Sequence, residues 1–117
     1  MPITEAFAGT QSVTTTEHSL PRDATYDSGQ PQTGDGIYQV FVDVNAVAFG
    51  DEFLLKVYEK VQSSDTQRLV YQATITGPQA EPVFVTPALV LMHGWDVTII
   101  RVTGTDRTIT WSIRQIS

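Results

Sequence analysis

His93-Gly94-Trp95-Asp96 sets an imidazole, an indole and a carboxylate within four positions of the chain, and a His–Asp pair beside a serine or a water can act as a general base. Against that reading, Gly94 suits a turn and Trp95 opens an alternating apolar segment, which is how a core strand begins. The other histidine, His18, stands far away in sequence, and neither belongs to a His-x-x-x-His spacing that would place two metal ligands on one helix face. There is no Gly-x-Ser-x-Gly elbow, no phosphate-cradling glycine loop and no acidic calcium loop. The absence of cysteine removes a thiolate nucleophile, a thiolate metal site and a disulfide framework together. The chain therefore reads as a non-enzyme that takes no metal and no cofactor.

A saccharide-binding β face can offer an aromatic platform, as lectin-like modules do. Tyr38, Tyr71, Trp95 and Trp111 stand among Val, Leu and Ile on alternating segments and are better explained as core. Tyr26 and Tyr58, the latter between Lys56 and Lys60, read as solvent-facing, and two scattered tyrosines make no groove.

The charge balance narrows the partners further. Seven Lys and Arg against 13 Asp and Glu give a net charge of −6, which opposes the clustered cations that a grip on phosphates requires. Nucleic acid is not an expected partner. Nor is a membrane: the longest apolar runs, such as residues 88–92, fall far short of the roughly 20 residues that span a bilayer. The first residues, Met-Pro-Ile-Thr-Glu, lack the basic and apolar regions of a secretory leader, so cytoplasmic synthesis is the simpler reading.

The elements that would carry any site fall into two parts. Residues 1–36 are rich in Thr, Ser, Gly and Pro with isolated hydrophobes, and read as an extended N-terminal arm and linker: a strand candidate over 12–20, then breakers at Pro21, Gly29, Pro31, Gly34 and Gly36. Residues 37–117 form a compact antiparallel β domain. Tyr38, Val40, Val42 and Val44 share one face, with Gln39, Phe41 and Asp43 on the other, and Gly50-Asp51 turns the chain into a hairpin or meander. Phe53, Leu55, Val57 and Val61 form the next inward set, followed by Leu69, Tyr71, Ala73 and Ile75 after a turn at Ser63-Ser64-Asp65. Pro82 and Pro87 demote 83–86 to an edge piece. Trp95, Val97 and Ile99, then Ile109, Trp111 and Ile113, complete the pattern about a hairpin turn at Gly104-Thr105-Asp106. No segment sustains a helical period. The fold class is all-β: an antiparallel β-sandwich or small, jelly-roll-like β-barrel with an extended arm.

The strings ITEAFAGT at 3–10, TEHSLP at 16–21, GIYQVFVDVN at 36–45, LMHGWDVT at 91–98, GTDR at 104–107 and WSIR at 111–114 are spread over almost the whole chain. In them the sequence resembles a group of small tailed-bacteriophage virion proteins, in particular capsid decoration, or cement, proteins. The resemblance implies a structural protein on the outer capsid surface, made in the host cytoplasm, assembling as a homotrimer and bridging subunits of the major capsid protein. In such a protein the arm would pair with a neighbouring subunit, with Ile3, Phe7, Val13 and Leu20 as its partner-binding anchors. The competing expectation is a tail or baseplate module that recognises a host-surface glycan.

Overall fold

The computed structural model describes residues 2–116. Ten strands follow one another: β1 (Ile3–Val13), β2 (His18–Ser19), β3 (Ala24–Thr25), β4 (Gly36–Asp43), β5 (Glu52–Glu59), β6 (Arg68–Thr76), β7 (Val83–Val85), β8 (Leu89–Leu91), β9 (Asp96–Thr103) and β10 (Arg107–Ile116). They form two antiparallel sheets. Sheet A has the order β1-β10-β4-β7, with β8 also on β4, and sheet B has the order β3-β2-β9-β5-β6. The protein is an all-β sandwich, and no helix occurs among the described residues.

Alternation builds the interior. Tyr38, Val40 and Val42 from β4 and Ile109, Trp111 and Ile113 from β10 are buried on the inner face of sheet A. Phe53, Leu55 and Val57 from β5, with Val97 and Ile99 from β9, are fully buried on sheet B. Trp95 anchors the centre, with Phe7 edge-on at 6.1 Å and Tyr38 tilted at 4.6 Å between ring centroids. Its indole N–H donates to the Gly34 carbonyl at 2.8 Å, so the large ring is buried without leaving its polar atom unpaired.

The arm and linker expected over residues 1–36 are not a separate unit. β1 pairs along its length with β10 of the same chain, from Ile3↔Ile116 to Val13↔Arg107, interrupted by one bulge between Glu5 and Phe7. After Leu20 the chain runs as a strap across sheet B. The Leu20 N–H donates to the Val97 carbonyl, and Gln32 and Trp95 exchange both backbone hydrogen bonds. Tyr26 stacks on Tyr58 at 4.8 Å between centroids and donates its hydroxyl to Gln67 at 2.5 Å. Thr and Ser in a sequence reduce core propensity, yet a strand at a sheet edge needs only one buried face, and Phe7 and Val13 supply it.

Two expected hairpins are instead arches between the sheets. β4 lies in sheet A and β5 in sheet B, and the same holds for β10 and β9. Asp51 fastens both arches at one end of the sandwich: its carboxylate accepts from Ala48 N at 2.9 Å, Thr105 N at 3.0 Å and Arg107 Nε at 2.7 Å. These charge-assisted bonds, led by Arg107, hold its carboxyl down at about 2. Gly104, at φ +95°, passes so close that a Cβ there would sit 2.2 Å from Asp51 Oδ1. β5 and β6 do form a hairpin. Val61 lies beyond the end of β5 and is exposed, and Leu69 is exposed beside a register shift in that pairing.

Candidate functional site

Sequence reasoning weighed His93 and Asp96 as a base pair, and the structure does not bring them together. Among the described residues no hydrogen bond joins them: the His93 N–H is held by Glu59 Oε2 at 3.1 Å, while Asp96 Oδ1 accepts from Ser19 Oγ at 2.7 Å and from Val97 N at 2.8 Å. Asp96 is fully buried and its Oδ2 has no hydrogen-bond partner. Desolvation pushes its carboxyl upward, against the pull of the Ser19 and Val97 bonds. Beside it, Glu17 Oε2 accepts from the Tyr58 hydroxyl at 2.6 Å and from Thr98 Oγ1 at 2.5 Å. Burial, then the Glu17 contact, raises the Tyr58 hydroxyl. This network ties Glu17 and Ser19 to β5 and β9 of sheet B, and the Tyr26 ring carries the strap onto it. Tyr26 and Tyr58 are thus a stacked pair within it and not two free surface rings.

His18 is buried against Trp111, edge-on at 5.7 Å, and its Nε2 lies 3.0 Å from Asp23 Oδ1. Among the described residues no Ser or Thr hydroxyl is hydrogen-bonded to the His18 ring, although Ser12, Thr14, Thr16 and Thr25 line the same small cavity. No group of three or more His, Asp or Glu is placed to hold a metal ion among the described residues.

The four expected anchors have different fates. Val13 and Leu20 are buried in the chain's own core, and Phe7 packs against it on Trp95. They are spent on the interior and cannot reach a neighbour. Ile3 alone is open, at 68% exposure.

Ile3 belongs to a feature that sequence reasoning missed. On the outer face of sheet A it lies directly opposite Ile116, which lies opposite Ile37, which lies opposite Val90. Four β-branched side chains from β1, β10, β4 and β8 thus make one apolar row across the sheet, about 14 Å long at the usual strand spacing. Val90 is 75% exposed and Ile37 is also exposed. The next row on the same face is polar, with Glu5, Arg114 and Gln39, and the one after it is mixed, with Ala8, Ser112, Phe41 and Val85. The signal was present at Ile37 and Ile116, which occupy the outward parity of strands whose other outward residues are mostly polar. Cross-strand pairing, which alternation does not reveal, was required to align them.

No family model matches the chain, and no curated protein matches it in sequence. Among solved structures, the Eiger TNF from S. frugiperda is similar over 97% of this chain and 88% of that one, at 12% identity and a TM-score of 0.44.

Proposed function

We propose that this chain is a structural virion protein, a decoration or cement protein that binds the outer surface of a phage capsid and stabilises it, with the apolar row of sheet A as its docking surface. The observation that supports the reading is that row: Ile3, Ile37, Val90 and Ile116 are aligned on a finished sandwich that has no use for them internally. Burying a fully exposed Val or Ile side chain is worth about 1.5–3 kcal/mol, so the row contributes part of what seating on a larger surface requires against an association cost of about 4–15 kcal/mol. The acidic balance suits the outside of a shell better than its DNA-filled interior. The resemblance of its sequence strings to cement proteins is the ground for the virion context, the homotrimer and the major capsid protein as partner. Bridging by a free N-terminal arm is not part of the mechanism, because β1 is already paired. Rigid bodies seated across capsomer boundaries would bridge them instead.

The test uses expanded heads, lacking this protein, from the phage that encodes it. The wild-type chain is expected to co-sediment with them to a saturating ratio and to raise their heat tolerance. An Ile37→Ser/Val90→Ser variant is expected to fold and to stay in the supernatant. Absence of head binding by the wild type, or immunogold label confined to tails, overturns the proposal.

A further inference from the structure

Beyond the apolar row, towards the Asp51 end of sheet A, the outer face is hollowed into an open depression of about 500 Å³, within the size range of small-ligand sites. Its walls come from β1, β4, β7 and β10, with Glu5, Thr10, Phe41, Asp43, Ser112 and Arg114 as the side chains that matter. We propose that it is a saccharide-binding site.

The polar groups are arranged as acceptors and donors around an apolar floor. Glu5 Oε2 accepts from Ser112 Oγ at 2.6 Å, and Oε1 has no hydrogen-bond partner among the described residues. Asp43 Oδ1 accepts from Asn45 N at 3.0 Å, and Oδ2 likewise has none. A carboxylate oxygen without a donor, beside an open hollow, is suited to a hydroxyl. The guanidinium of Arg114 is not spent on Glu5, its cross-strand neighbour. It lies over the Phe41 ring, 3.8 Å from the centroid, with only Nε engaged, at 3.3 Å to Ser112 Oγ. That stacking holds its remaining N–H groups at the rim as donors. Thr10 and Thr110 hydroxyls, bonded to one another at 2.9 Å, add groups that both donate and accept. Ala8, Val83 and Phe41 supply apolar surface.

The ligand class follows from this chemistry. Two carboxylates against the one guanidinium of Arg114 leave the hollow net negative in an acidic protein, which disfavours phosphates and nucleotides. A neutral sugar ring has adjacent hydroxyls, each a donor and an acceptor, and an aliphatic C–H face, which matches the mixture present. Glu5→Gln retains the acceptor for Ser112, and Asp43→Asn retains the acceptor for Asn45, so both variants keep the local fold.

The experiment titrates the isotope-labelled full chain by NMR with galactose, glucose and N-acetylglucosamine, and applies the same protein to an array of bacterial surface polysaccharides. At least one sugar is expected to shift amides of Thr10, Phe41, Asp43 and Ser112 together. Asp43→Asn and Arg114→Ala are each expected to weaken that response about tenfold, the loss of one hydrogen bond to a charged group, whereas Val90→Ser leaves it unchanged. Silence to all sugars and to the array, shifts located elsewhere, or undiminished binding by both variants overturns the assignment.

Discussion

Leu20→Ala and Ile3→Ala, both in the segment that composition marks as an arm, should behave in opposite ways. Leu20 is 2% exposed and Ile3 is 68% exposed. Truncating a buried leucine removes its transfer energy and leaves a cavity, at a cost of about 2–5 kcal/mol. Over 117 residues, an unfolding entropy of about 2.1 cal/mol/K per residue sums to about 0.25 kcal/mol/K. A loss of about 3 kcal/mol therefore lowers Tm by about 12 °C. Ile3→Ala should stay within about 0.5 kcal/mol, or about 2 °C. Trp95 and Trp111 are both buried, so their fluorescence in thermal and urea melts reports loss of the core. If Leu20→Ala melted within a few degrees of the wild type, the strap would not be integral to the fold, and the case against a free arm would fail.

Gly9→Ala should destabilise by about 1–3 kcal/mol, because a Cβ there would meet Trp111 Cζ2 at 2.5 Å; a urea midpoint equal to wild type would contradict the packing. Asp51 is held at about 2, below its ordinary 3.8, so the stability it contributes is full above that ordinary value and drains away as pH falls towards about 2. Asp51→Asn should flatten that part of the acid profile, read as urea midpoint against pH. Asp96 has the opposite sign: its carboxyl is raised, so the folded state loses stability as pH rises through its folded value and gains it on acidification. Glu17 opposes its ionisation and Arg22 favours it. Asp96→Asn, which keeps an acceptor for Ser19, should match or exceed wild-type stability at neutral pH, and a clear loss there would show that the ionised form is required.

The inward residues of β4, β5, β9 and β10 were legible because burial on one face imposes a period of two. Partner choice was not. Gly50-Asp51 and Gly104-Thr105-Asp106 carry ordinary turn chemistry, and a turn reads the same whether the next strand joins the same sheet or crosses to the other. What distinguishes them is Asp51 reaching from one arch to the other, a contact between residues far apart in sequence. The first 36 residues misled for a related reason. Their few hydrophobes are diluted by Thr, Ser and Gly, and Gly9 is in place because Trp111 covers it, so low apolar content there reflects a large ring supplied by another strand. The apolar row and the depression share that character: each is assembled from four strands, and no single strand announces it.

The pairing of Ile3 with Ile116 sets the first described strand beside the last, with both residues inside the apolar row. A fluorescent reporter or affinity handle attached at position 3 or 116 would stand in the surface proposed to face the shell, and would compete with it sterically. Cargo intended for display belongs instead at the opposite pole, in the arch that carries Phe49, where 92% of that side chain already meets solvent.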